Sequence, residues 1–262
     1  MSSDPVDAYR EIAPSARLER FVECFWISEH SGASSDPLRV LPDGCVDLLF
    51  ELDAARDDDA GRVVGAMTRP FLADRSRSRR FAAVRFRPGG AALFVRAPQS
   101  ELVDDVAAVA DLVPCGRELT ARVAGAPSTF AAVKRLESNL VARLARAARP
   151  RWTLSAAARI AADPVATSVG RLALELGVSR QHLARAFRRD VGLSPKMLAR
   201  VMRLRALTGS LARGEEPRWA RLAARFGYAD QSHLVSETRA LAGLTPTQLA
   251  GSISARRESA AG

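Results

Sequence analysis

The chain has 262 residues and ten more basic than acidic side chains, 39 Lys plus Arg against 29 Asp plus Glu. The surplus is confined: residues 1–150 hold 21 basic and 21 acidic side chains, residues 151–262 hold 18 and 8. Such an asymmetry predicts two parts, one neutral and one basic. At 47% apolar and 26% charged the composition excludes a disordered chain, and no apolar run is long enough to span a bilayer. The N-terminus, acidic and without an apolar core, does not resemble a secretory signal, which points to a cytoplasmic protein. Cys24, Cys45 and Cys115 are three and widely separated, as expected of buried thiols in a reducing compartment.

From Tyr9 to about Leu112 the sequence reads mainly as strands and turns. Phe21, Cys24, Phe25 and Trp26 form an apolar cluster. Asp43-Gly44 is a turn signal, and the run from Cys45 to Leu52 is β-rich. The acidic stretch 53–61 reads as a solvated loop. RVVGAMTRP and RFAAVRFRPGG supply further strands, and the alternation Val84, Arg85, Phe86, Arg87 predicts one buried and one basic face. From Ala91 the apolar spacing becomes helical, through ALFVRA, ELVDDVAAVADL and the run 130–148. Cys24 and Cys45, with His30 in a Ser/Gly-rich loop between them and Asp43 and Asp47 beside them, lack the paired close ligands of a zinc site. Gly89-Gly90 lacks the Lys and the spacing of a phosphate cradle. Neither a metal nor a cofactor is expected.

The basic half contains an internal repeat. RLALELGVSRQHLARAFRRDVGLSPKML (171–198) is matched by RLAARFGYADQSHLVSETRALAGLTPTQL (221–249). Leu172-Ala173 and Gly177 correspond to Leu222-Ala223 and Gly227. Leu183, Phe187, Gly192, Ser194-Pro195 and Leu198 correspond to Leu234, Thr238, Gly243, Thr245-Pro246 and Leu249. The offset is 50 residues before the turn and 51 after it, one extra turn residue. Each copy reads as a helix ending at a glycine, a short turn closed by an N-cap (Ser179 or Asp230), and a second helix: a helix-turn-helix unit. Ser-Pro and Thr-Pro then start further helices, and Pro195 to about Leu211 joins the units. The second helix of such a unit enters the major groove. Its candidate DNA-facing residues are Ser179, Arg180, Gln181, Ala184, Arg185, Arg188 and Arg189 in the first copy, and Asp230, Gln231, Ser232, Val235, Ser236 and Arg239 in the second. Arg185 suits guanine, Gln181 and Gln231 suit adenine, and Arg188 and Arg189 suit phosphates. His182 and His233 read as packing residues or phosphate neighbours, and Trp152 and Trp219 as core or inter-helix packing residues at helix starts.

These motifs resemble the DNA-binding domain of AraC/XylS-type transcription regulators, through GYADQSHL with GLTP and GVSRQHLARAF with GLSP. LPDGCVDLLFEL, VVGAMTRP and VRFRPGGAALF in the neutral half are similar to a sensor domain of unassigned function that precedes such domains. The resemblance implies an α+β chain: a β-rich, cupin-like sensor or dimerisation domain with trailing helices (1–149), an all-α domain of two helix-turn-helix units joined by a helix (150–251), and a flexible tail (252–262). It implies a non-enzymatic regulator whose partners are double-stranded promoter DNA, RNA polymerase, a small-molecule effector and a second copy of the chain. Residues 150–262 are expected to bind DNA by themselves. Thr238 stands where the family has an aromatic and Ser236 where it often has a basic residue, so the second unit is expected to add less specificity than the first. Two other classes fit a regulator-type DNA-binding domain: a Cys-dependent DNA repair enzyme, which needs four clustered thiolates, and an architectural DNA binder without an effector.

Overall fold

The computed structural model describes residues 8–32, 36–52, 54, 60–145 and 152–259. The N-terminal part is built on eight strands among the described residues: β1 (Ala8–Ile12), β2 (Val22–Ser31), β3 (Leu38–Val40), β4 (Val46–Leu52), β5 (Gly61–Val64), β6 (Phe71–Ala73), β7 (Ser78–Phe86) and β8 (Val106–Ala108). Six form an antiparallel sheet in the order β1-β2-β7-β4-β5-β8, and β3 pairs with β6 in a separate ribbon. The sheet has β1 and β8 as its edges, so the β-rich domain is a six-stranded sheet with a separate two-stranded ribbon. Strict alternation makes β4: Val46, Leu48, Phe50 and Leu52 are buried and the residues between them are half-buried, as one wet and one dry face require. The register places Leu48 beside Val84 and Val63, and Val84 beside Phe25.

Helices α1 (Val109–Leu112), α2 (Gly116–Ala124) and α3 (Thr129–Leu144) follow. α3, capped by Ser128, which accepts from the Ala131 N–H, lays Ala132, Val133, Leu136 and Leu140 on the dry face of the sheet. The run ELVDDVAAVADL is therefore not one helix: it supplies β8 and the short α1, because Val106–Ala108 pairs with Arg62–Val64 at the sheet edge. His30 lies in β2, opposite Arg79 of β7, and not in a loop. Most of the acidic stretch 53–61, and the expected boundary at 149/150, lie outside the described residues.

The C-terminal part is all helical: α4 (Trp152–Ala162), α5 (Val169–Glu175), α6 (Arg180–Val191), α7 (Pro195–Ala212), α8 (Trp219–Arg225), α9 (Gln231–Ala242) and α10 (Pro246–Ser259). α10 corrects the expected flexible tail from 252. No proline or left-handed glycine lies between Leu249 and Ser259, and Ile253 packs against the core, so the helix runs on to Ser259. The main core is shared between the two parts, from Leu48, Val84 and Leu136 through Leu154, Phe187 and Val191 to Met202. A smaller second core holds Leu207, Leu211, Leu222, Ala223, Phe226, Tyr228 and Leu234. No helix of the described residues is long and apolar enough to cross a membrane.

Candidate nucleic-acid interface

Both repeat copies fold by the same local rules. α5 is capped by Ser168 and gives way at Gly177, whose φ of +65° lies in the left-handed region that favours glycine. The chain turns, and the Ser179 hydroxyl accepts from the His182 N–H at 3.1 Å to start α6. In the second copy α8 gives way at Gly227, φ +71°, and the Asp230 carboxylate accepts from the His233 N–H at 2.7 Å to start α9. Ser194 caps α7 with Pro195 at its first turn. Thr245 and Gln248 cap α10 reciprocally: Thr245 Oγ1 accepts from the Gln248 N–H at 3.3 Å, and Gln248 Oε1 accepts from the Thr245 N–H at 2.9 Å, a capping box.

α6 buries Leu183 and Phe187 completely, and α9 buries Leu234 and Thr238 completely. The Thr238 hydroxyl donates to Leu234 O at 2.8 Å. A buried polar group is therefore satisfied where an aromatic would have packed, and only the missing apolar volume separates the copies at this position.

The remaining faces carry the sequence-predicted DNA-contacting residues. Ser179, Arg180, Gln181, Arg185, Arg188 and Arg189 of the first copy are exposed, with Ala184 half-buried; Asp230, Gln231, Ser232, Ser236 and Arg239 of the second are exposed, with Val235 half-buried. They are not equally available. Arg185, Arg188 and Arg239 form no ion pair among the described residues. Arg180 folds back over α5: a Cβ built on Gly170 would lie 2.7 Å from its Nη2. Arg189 donates to Asp190 Oδ1 at 2.8 Å and Oδ2 at 3.0 Å. Asp190 is 1% exposed and also accepts from Thr153 Oγ1 of α4 at 2.8 Å. That bond to Asp190 raises the Arg189 pKa and makes the side chain part of the tie between α4 and α6.

Both histidines contact neighbouring groups. The His182 ring stacks on Trp152 with centroids 6.1 Å apart, and His233 Nδ1 accepts from the Ala229 N–H at 3.1 Å. Sequence reasoning missed three positioning groups. Asp190 could have been found, since 183, 187 and 190 share a core-facing spacing. The bidentate Arg200–Glu237 pair, 2.7 and 2.9 Å, ties α7 to α9. Arg203 lies over the Tyr228 ring, 5.6 Å from its centroid.

In the N-terminal part the expected basic strand face is corrected. Arg85 is 3.3 Å from Asp43 and hydrogen-bonded to Asp47, which also accepts from Trp26 Nε1 at 3.1 Å. Cys24 and Cys45 are buried, whereas Cys115 is exposed, because it stands at the N-cap of α2 with a φ of +50°. Burial pushes the Cys24 thiol up to about 12 and the Cys45 thiol well above its ordinary value, the reverse of what a nucleophilic thiolate needs. No group of three metal-ligating side chains occurs among the described residues.

Comparison with known proteins agrees with this geometry. Residues 172–252 match the family model described as "Helix-turn-helix domain", and residues 10–108 match "Domain of unknown function (DUF6597)". No curated protein matches the chain. Among solved structures, two of ToxT from Vibrio cholerae are similar. The O395 structure has 10% identity and a TM-score of 0.44 over 86% of this chain and 95% of that one. A second crystal form has 10% identity and a TM-score of 0.47 over 86% and 97%. The match at 172–252 shows a helix-turn-helix domain, the kind of domain that binds DNA. That domain is similar to the AraC-type helix-turn-helix domain.

Proposed function

We propose that the chain is a sequence-specific regulator that reads two successive major-groove segments, one with α6 and one with α9. The observation that carries this reading is the pair of equivalent capped helices, each exposing its N-terminal residues, in the half that holds the whole surplus of charge. In the first segment Gln181 and Arg185 contact base edges, adenine and guanine being their bidentate partners, and Arg188 contacts phosphate. In the second, Gln231 and Ser232 reach base edges and Arg239 a phosphate. Ser179 and Asp230 set the helix starts, and Arg180, Ala184, Arg189, Val235 and Ser236 complete the facing surface. The N-terminal domain controls this activity in the cytoplasm through a small-molecule effector or self-association, and the bound protein acts on RNA polymerase.

Selection of bound sequences from a random DNA pool by the full chain tests the reading. The expected result is a site with two conserved segments about one helical turn apart, bound with an affinity that falls steeply as salt rises. Recovery of no preferred sequence would leave a non-specific DNA binder and overturn it.

A further inference from the structure

Gly192 and Gly243 hold the same place in the two repeats. Each follows the last residue of a reading helix, and each has a positive φ, +87° and +67°. The N-terminal domain lies against both. A Cβ built on Gly192 would lie 3.0 Å from Gln99 O and 3.3 Å from Val103 Cγ2. A Cβ built on Gly243 would lie 3.1 Å from Arg39 Nη1 and 3.4 Å from Pro70 Cγ. Arg39, on β3, also donates from Nη1 to Ala242 O at 3.4 Å. That carbonyl belongs to the last turn of α9, where partial negative charge favours a cation. Pro70 immediately precedes β6, the partner of β3, so one small ribbon supplies both contacts.

A third contact lies between these two, on the helix that joins the units. Arg205 of α7 donates twice to the Glu23 carboxylate, with Nη1 to Oε2 at 3.0 Å and Nη2 to Oε1. The turn before β4 closes onto the same helix: a Cβ built on Gly44 would lie 2.6 Å from Met202 Cε and 3.0 Å from Leu198 Cδ1. The three contacts are at the C-terminal ends of α6 and α9 and along α7. Arg180, Gln181, Gln231 and Ser232, at the opposite ends of the two helices, are exposed. The N-terminal domain therefore holds the reading helices without covering the residues that meet base edges.

The two grips differ in kind. At α6 the grip is backbone and apolar contact, continuous with the shared core through Val191 and Leu193. At α9 it is one guanidinium and one proline ring beside Leu241 and Ala242, the residues of the second unit that reach the main core. The rest of that unit closes on the smaller core.

We propose that the N-terminal domain is a clamp that sets the distance and angle between the two reading helices, with Arg39 as the positioning residue for α9. The spacing accepted between the two DNA segments is then a property of the N-terminal domain as well as of α7. This inference rests on the reading of α6 and α9 as the DNA-reading helices. It also gives any event in the N-terminal domain a route to DNA: displacing the β3–β6 ribbon releases one reading helix and leaves the other held.

The test uses the full chain and an operator obtained by selection. One base pair is inserted or removed between the two contacted segments, which turns one segment by about 35° and moves it by about 3.4 Å relative to the other. The natural chain is expected to lose about tenfold or more in affinity on either altered operator, the scale of one lost base contact. Arg39→Ala, and as a second variant Pro70→Ala, are expected to reduce that loss to about threefold or less while binding the original operator within a few-fold of the natural chain. Arg39→Lys, which keeps a donor cation near Ala242 O, is expected to restore the full penalty. Thermal melting confirms that each variant is folded. A folded Arg39→Ala protein that keeps the natural spacing penalty, or that weakens on all operators by one factor, overturns the clamp. Failure to select any operator overturns the DNA reading instead.

Discussion

The two helix-turn-helix units share a backbone plan and differ in what they are attached to. The first, α5 and α6, is built into the main core: Leu172, Leu183, Phe187 and Val191 are buried in one continuous cluster with Leu48, Val84 and Phe86 of the sheet. The second, α8 and α9, closes mainly on a small core of its own around Leu222, Phe226 and Leu234. The chemistry of their outer faces differs in the same sense, with four arginines on α6 and one on α9. A duplicated motif has thus become an anchored unit with a strong electrostatic face and a more independent unit with a weak one. Equal local geometry is therefore expected to make unequal contributions to binding and to stability.

Core truncations give the largest expected effects. Phe187→Ala should cost about 3–5 kcal/mol and Leu234→Ala about 2–5 kcal/mol. The sharper expectation concerns where the loss is felt. Hydrogen exchange should show Phe187→Ala lowering protection in β4 and β7 as well as in α6, and Leu234→Ala lowering it in α8 and α9 with the sheet unaffected. Equal spread from both sites would remove the distinction between an anchored and an independent unit. On DNA, Arg185→Ala should cost about 1–3 kcal/mol and relax preference at one base position. Gln231→Ala should cost less, and binding titrations on the selected operator that rank them the other way would reverse the comparison. Equal loss for Arg185→Ala on all sequences would make that residue a phosphate contact.

Caps come next: Ser179→Ala and Asp230→Ala should each lose about 0.5–2 kcal/mol of stability in chemical denaturation. The smallest effect is a pH dependence at the joint. Burial pushes the Glu23 carboxyl up, but the Arg205 guanidinium bonded to it more than offsets this, so its pKa is lowered from the ordinary 4.5. A carboxyl lowered in the folded state contributes stability that is present above its unfolded value and lost as pH falls through the folded one. Protection of α7 amides should therefore decline as pH falls below about 4.5, and Glu23→Gln should remove that part of the decline.

The repeat, with its matched Leu183 and Leu234, and the caps at Ser179, Asp230 and Ser194 were legible because each depends on residues within a few positions of one another. The attachment of the first unit to the sheet was not. Glu23 and Arg205 are 182 residues apart, Arg39 and Ala242 are 203 apart, and no periodicity encodes such pairs. The same blindness misjudged Arg85, whose strand alternation was read correctly while its partners Asp43 and Asp47 on other segments were not foreseen. Arg189 is a different case, since its partner is the next residue and only the burial of Asp190 adds a structural tie to an exposed side chain. The expectation that residues 150–262 bind DNA by themselves must also meet a cost, because Leu154, Val191 and Met202 are buried in a core that includes the N-terminal part.

The unbroken length of α7 has one more consequence. Its 18 residues span about 27 Å at a rise of about 1.5 Å each, a little short of one turn of B-form DNA at about 34 Å. Because an α-helix advances by about 100° per residue, a single residue inserted in the middle of α7 would put the second unit out of phase with the first and turn α9 away from the duplex. Seven inserted residues, close to two whole turns, would nearly restore the phase while lengthening the span by about 10 Å. Change in the length of this helix therefore disturbs either the phase or the span between the two units, a coupling that no substitution in either reading helix would reveal.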